Sequence, residues 1–418
     1  MLFRKARLKT GNSDSKGWIL LQRWDSPRLP LLITAVIYFG LIFVTVRDQG
    51  CDFSYFVTAG DRYCKAEAVP KSLTLVTNST GGDGTFYYRL ALDPFTSKVT
   101  DFGITLDNPA YRHQRILYPL IVWGLSFGCI DCVPILMVVV NFVCLCVLGW
   151  LGGLFARSMR LHSLWGLVFP SYPGLLLSLT WDLAEILCTC FLLAFFLFVR
   201  HRKYLLAILL LILAILTRET VLLVAGGAAF VWLNGIRNEK GTDKVPGYFF
   251  LSPFLAYSIW QFILLRNWGY TLWNEAHAGA AGRSLGWPFA GFLKLLLSQA
   301  ALQTPRQRLL FVEMLLIVAF AVVVLWSMRS SVASRLEKSS WVLYAALAFL
   351  LTGRNWAVDL GFLRQLSEFY VLGAIIVLAS PSKMKIPIFV CWGTVWLSYF
   401  LQYIDIVCRT RHLYRFLF

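Results

Sequence analysis

Between Gly81 and Pro119 the chain reads GGDGTFYYRLALDPF, a polar spacer, and then LDNPAYRHQRILYP. Asp83, Tyr87, Tyr88, Arg89, Asp93, Asp107, Arg112, His113 and Arg115 all fall in this stretch. Glycines flank Asp83 on both sides. They let backbone approach a ligand and hold an unusual turn. A carboxylate in that setting could take the proton of an attacking hydroxyl. The same residues also make an ordinary Gly-Asp-Gly turn. The run Phe86-Tyr87-Tyr88 offers ring faces and phenol hydroxyls that suit sugars, and that equally suit a membrane interface.

Asn108-Pro109 reads as a helix start, with Asn as N-cap and Pro at the first helical position. Arg112 and Arg115 then lie three apart on one face. Two guanidiniums there could grip a phosphate or pyrophosphate bidentately, or snorkel to lipid head groups. His113, on the neighbouring face, is read as structural, with proton transfer as the alternative. Asp182 and Glu185 are three apart at the start of a span and are expected to share a face. They could orient sugar hydroxyls, hold a divalent cation, or cap the helix. Arg218-Glu219 is either a mutual ion pair or a phosphate contact. Arg364 and Glu368, four apart, are expected to pair with one another on a helix. The stretch HAGAAGR, His277 to Arg283, could be a mobile gate.

The elements that must carry these groups are membrane helices. The chain has 418 residues and is 58% hydrophobic, above the roughly 45–50% of soluble domains. Its net charge of +17 does not point to nucleic acid. The Lys and Arg sit in short clusters between apolar runs, where they set membrane orientation. The start, MLFRKARLKTGNSDSKGW, is polar and long for a signal n-region, and no small-residue cleavage site follows the first span. That span is therefore expected to remain as a helix. Ten cysteines lie mostly in apolar runs, but Cys51 with Cys64, and Cys129 with Cys132, fall in expected external loops where disulfides could form.

Positive-inside puts residues 1–28 in the cytosol, and residues 29–418 form one transmembrane domain. Pro30 to Val46 is the first span. Residues 47–130 form a large first extracytoplasmic loop with juxtamembrane helices, and carry an Asn78-Ser79-Thr80 sequon. Ile116 to Cys129, about 14 residues, is short for a span and is placed in the interface. Further spans are expected at Val133–Phe155, Leu164–Leu179 (kinked at Pro170 and Pro173), Leu183–Val199, Tyr204–Leu216, Val221–Asn234 and Gly247–Leu265. A second external loop occupies 266–308. Leu309–Met328, Trp341–Leu351, Phe369–Ala379 and Ile386–Tyr403 complete about eleven spans. The helices starting at Tyr204, Val221, Trp341 and Phe369 are short, roughly 16–21 Å. They meet the outer side beside Arg218, Glu219, Arg354, Asp359, Arg364 and Glu368, which predicts a wet cavity there.

DGTFYYRLALDPF, LDNPAYRHQRILYPL and ILTRET (Ile215 to Thr220) resemble the GT-C superfamily of polyprenyl-phosphate-sugar-dependent membrane glycosyltransferases. The likeness is to bacterial proteins of cell-surface glycopolymer synthesis and, more distantly, to the second mannosyltransferase of GPI-anchor assembly. It is close over about residues 81–125 and 214–222 and is one of topology elsewhere. It implies an all-α polytopic fold and a polyprenyl-phosphate sugar donor. It also implies transfer to a hydroxyl of a glycolipid, glycan or protein, with inversion, on the extracytoplasmic face of a bacterial inner membrane or the endoplasmic reticulum. Asp83 would be the base. Many relatives carry a paired acidic motif where this chain has isolated Asp83, Asp93 and Asp107. The expected substrate contacts are Tyr87, Tyr88, Arg89, Asp107, Arg112, Arg115, Asp182, Glu185, Arg218 and Glu219. No cofactor is assigned, and a divalent cation enters only through the Asp182–Glu185 alternative. The rival class is a transporter or flippase of a lipid-linked or anionic substrate, which calls for repeated halves. The sequence shows no internal repeat.

Overall fold

The computed structural model describes residues 25–237, 245–270, 286–299, 305–352, 356, 361–381, 383 and 385–409. It is mostly helical. Helix α1 (Arg28–Asp48) is apolar on every side, as suits a helix with no water-facing stripe. The hydroxyls of Thr34 and Thr45 donate to carbonyls one turn back, at 2.7 and 2.9 Å, which satisfies polar groups where water is excluded.

The loop after α1 is a folded unit. Strand β1 (Ala59–Gly60) pairs in parallel with β2 (Leu75–Val76), and β3 (Thr100–Asp101) pairs antiparallel with β4 (Ile104–Thr105). Between them runs α2 (Gly84–Leu92), followed by α3 (Pro109–His113) and α4 (Leu117–Ser126). The purely helical expectation omitted these strands. At two residues each they are too short to show an alternating pattern. Val57, Ala59, Tyr88, Ile104 and Tyr118 form a core for this unit that continues into Met137 of α5 (Val133–Ser158).

Glycine is needed where this unit closes. A side chain at Gly60 would run into the backbone of Ser79 and Gly81, and Gly82 N–H donates to the Thr58 carbonyl at 2.8 Å. A side chain at Gly84 would meet the carbonyls of Val57 and Trp181. The segment bearing Asp83 is thus pinned between β1 and the chain just before Asp182.

The remaining elements are α6 (Pro173–Thr180), α7 (Glu185–Arg200), α8 (Tyr204–Thr217), α9 (Leu222–Arg237), α10 (Tyr248–Trp268) and α11 (Ala290–Gln299). They continue with α12 (Pro305–Met328), α13 (Arg335–Leu350), α14 (Gly361–Gln365), α15 (Ser367–Leu378) and α16 (Lys385–Arg409). Helix α5 packs on α1 and α7, α7 on α8, α13 on α9 and α15, and α12 on α15.

Among the described residues, five helices are long and apolar enough to cross a membrane: Arg28–Asp48, Ile130–Ser158, Glu219–Ile236, Tyr248–Trp268 and Leu310–Met328. Tyr204–Thr217 and Ser367–Leu378 are apolar but shorter. The expected kinked span Leu164–Leu179 is two pieces instead: a 3₁₀ segment at Ser163–Val168, then α6. Tyr172 is extended (ψ 126°) because it precedes Pro173, and a residue before proline is driven out of the helical region. The span expected from Trp341 begins earlier, at Arg335, where Ser334 and Glu337 form a reciprocal capping box.

Cys129 and Cys132 are joined. Cys51 and Cys64 are not: Cys51 is exposed after α1, while Cys64 is buried where it bridges to Ile104. The polar start, most of the second loop with HAGAAGR, and Arg354 and Asp359 lie outside the described residues.

Candidate active site

Asp83 is the N-cap residue of α2, but its carboxylate does not cap the helix. It points instead into a small, partly open cavity lined by Phe86, Tyr87, Leu90, Tyr111, Arg112 and Arg115. Positions 83, 86, 87 and 90 are one helical stripe. The expected contacts Tyr88 and Arg89 lie on the other faces of α2 and serve the loop's own core. Tyr88 is buried there, and Arg89 meets Thr96 at 3.2 Å and Asp101 at 3.5 Å.

Two guanidiniums hold Asp83. Arg112 Nη1 donates to its Oδ1 and Arg364 Nη2 meets its Oδ2, both at 2.8 Å. Arg112 is in turn fixed by both oxygens of Asp107, each at 2.7 Å, and by the Phe86 ring 3.9 Å away. Asn108 caps α3 as the sequence predicts, accepting from Tyr111 N–H at 2.9 Å. That short helix ends at His113, so Arg112 and Arg115 do not share a helical face. They converge on the cavity from either side of the turn. Arg115 is gripped by both oxygens of Glu219, at 2.7 and 2.9 Å, and donates to Tyr111 Oη at 3.0 Å.

Behind these lies a drier group. Arg218 meets Glu368 at 2.7 Å and Glu185 at 4.0 Å, and Arg364 reaches Glu185 at 3.8 Å. The side chains of Arg218, Glu185 and Glu368 are at most 3% exposed, whereas Asp83 is 23% and Arg364 16% exposed. The site therefore has an accessible tier and a sealed one.

Three expected pairings are corrected. Arg364 and Glu368 do not pair with each other, because Leu366 separates α14 from α15 and turns the two side chains apart. Arg218 is extended (ψ 125°) at the end of α8, so it and Glu219 diverge to different partners. Asp182 and Glu185 do not share a face, since α7 begins only at Glu185 and Asp182 adopts φ 48°. Asp182 faces Asn141 at 3.4 Å, and Asn141 also donates to Tyr118 Oη at 2.9 Å. His113 is buried, with Nδ1 2.8 Å from the Pro109 carbonyl, and is structural. Burial lowers its pKa, which favours the neutral ring.

Burial alone would raise the pKa of Asp83. The charges and hydrogen bonds of Arg112 and Arg364 outweigh it and hold the carboxyl well below the usual carboxylate range. For Arg112, burial is opposed by Asp83 and Asp107, which keep it protonated. Burial pushes the Tyr87 phenol up to about 12, so its hydroxyl remains a donor.

Among the described residues no three His, Cys, Asp or Glu side chains converge as a metal-ligand set. Each cavity carboxylate is turned to a guanidinium. The site residues that sequence reasoning missed are Leu90 and Tyr111, together with the Arg364–Asp83 contact. The helical stripe through Asp83 signals the first. No spacing signals the last. The chain matches no protein-family model, no curated protein and no solved structure.

Proposed function

We propose that this chain is an integral membrane glycosyltransferase of the GT-C type, with about eleven spans and its cavity on the extracytoplasmic face. It moves a sugar from a polyprenyl-phosphate carrier to a hydroxyl of a glycolipid, glycan or protein. One observation carries the reading: the Asp83 carboxylate stands 2.8 Å from each of two guanidiniums in a cavity lined by Phe86, Tyr87 and Tyr111. Inverting transfer needs a carboxylate to receive the acceptor's proton. It also needs fixed positive charge where the leaving phosphate gains charge. Aromatic faces beside them suit a sugar ring. In this assignment Asp83 is the base, Arg112 and Arg364 face the phosphate, and Arg115, tethered by Glu219 and Tyr111, borders the sugar.

Asp93 is a weaker candidate for the base, because it ends α2 and its carboxylate accepts from Phe95 N–H at 3.2 Å. Asp107 is fully engaged by Arg112. The deciding experiment is Asp83→Asn in proteoliposomes with a labelled lipid-linked sugar. Loss of transfer with the fold intact is expected. Normal turnover would remove the mechanism, and carrier movement without glycosyl product would replace it with transport.

A further inference from the structure

The arginines lining the cavity and those behind it carry no spare charge. Among the described residues, Arg112, Arg115, Arg218 and Arg364 face Asp83, Asp107, Glu185, Glu219 and Glu368. An anion cannot simply add to this group; it must displace a carboxylate. The sealed tier offers no such exchange, because Arg218, Glu185 and Glu368 are buried away from the cavity. Asp107 and Glu219 each hold one arginine by two oxygens, which is the stronger bidentate geometry. Asp83 holds each of its arginines by a single oxygen, and it borders the cavity directly. The guanidinium of Arg364 also keeps a buried Nε–H with no acceptor among the described residues. Asp83 is thus the carboxylate most easily displaced.

We propose that Asp83 sits in the seat a phosphate takes during turnover, and that arrival of this phosphate frees the carboxylate to act as base. This rests on the donor reading above and adds an order to it: donor first, acceptor second. With two guanidiniums on it, Asp83 is a poor proton acceptor. Once a phosphate oxygen occupies Arg112 Nη1 and Arg364 Nη2, the carboxylate turns to the acceptor hydroxyl. The acceptor oxygen then bonds to the anomeric carbon and its proton passes to Asp83. The bond from that carbon to the phosphate oxygen breaks, and the electron pair stays on the phosphate. The phosphate passes from a singly charged diester to a monoester able to carry a second charge. It therefore holds the arginines harder than the donor did. Asp83 returns to them only when the product leaves and its proton is lost to water.

The test is binding of farnesyl phosphate and of inorganic phosphate to the full chain in detergent, wild type against Asp83→Asn. A competitor inside the seat lowers the apparent affinity by the fraction of molecules it occupies. Removing it should tighten farnesyl phosphate binding by about tenfold, the equivalent of one displaced ion pair. Binding to Asp83→Asn that is unchanged or weaker than wild type overturns the exchange while leaving the glycosyltransferase reading standing. Inorganic phosphate binding as tightly as farnesyl phosphate would remove the lipid carrier but keep the exchange. Binding of neither probe would end both. A second readout needs no variant: carbodiimide labelling of Asp83 in the wild-type chain, followed by mass spectrometry. Labelling should rise when farnesyl phosphate is added, because a freed carboxyl is protonated more often. Unchanged or reduced labelling overturns the proposal.

Discussion

Two arginine–carboxylate groups in this molecule use the same chemistry to opposite ends. Arg200 and Glu337 join α7 to α13 through two hydrogen bonds of 2.9 and 3.0 Å. Glu337 also closes the Ser334 capping box, and Arg200 lies 4.6 Å from the Phe155 ring. Neither side chain has a buried polar atom left without a partner among the described residues. At the candidate site one carboxylate, Asp83, is divided between two arginines from distant segments. Buried polar atoms of Arg364, Arg218, Glu185 and Glu368 remain unpartnered nearby. A buried pair that satisfies all its atoms fixes a structure. An over-shared carboxylate beside a cavity, with donors to spare, is suited to exchange.

That contrast can be broken by mutation. The largest effect is expected for Asp83→Asn, which should lower transfer by about 10²–10⁴-fold, the usual worth of a general base. It also takes one partner from Arg112 and Arg364, so its unfolding midpoint should fall as well. Glu337→Ala should lower stability alone: it takes the partner from the half-buried Arg200 and opens the capping box, a loss of about 1–3 kcal/mol. Denaturant unfolding in detergent measures it, and turnover per folded molecule should be retained. Equal loss of activity in both variants would erase the distinction.

Arg89→Ala extends the comparison within the loop itself. It should cost about 1–3 kcal/mol by leaving Asp101 and Thr96 without their buried partner, with no change in the donor's KM. Arg364→Lys tests the cavity side. Lysine keeps the charge but not the planar fork, so the donor's KM should rise about tenfold with little loss of stability.

The smallest effect is a pH dependence. The pKa of Asp83 is depressed in the folded chain, so its ion pairs contribute fully above the ordinary aspartate value of 3.8. That contribution is lost only as pH falls through the much lower folded value. The stability gap between wild type and Asp83→Asn should therefore be flat from about pH 5 to pH 8 and narrow in stronger acid. A gap that changes near neutral pH would mean that Asp83 is not held by its arginines in solution.

Part of this site was legible in advance. The glycines around Asp83 marked a close backbone approach, and Gly84 does pack against the carbonyls of Val57 and Trp181. Asn108 and Pro109 announced α3. Tyr88 and Arg89 misled, because an aromatic and basic run reads as one patch until the helical period sorts Tyr87 inward and Arg89 away. The expectations that Arg364 pairs with Glu368 and that Asp182 shares a face with Glu185 both assumed an unbroken helix. Each failed at a helix start: Leu366 and Ala184 are the residues just before one.

The chain's own letters were enough to establish a helical membrane protein, because long apolar runs have no other stable form in lipid. They also marked the acid at the head of α2, because local glycines and caps act over a few residues. Which arginine meets that acid was decided only when α14 packed beside the loop. Charges far apart in the chain are paired by how helices dock, and no local pattern records that choice.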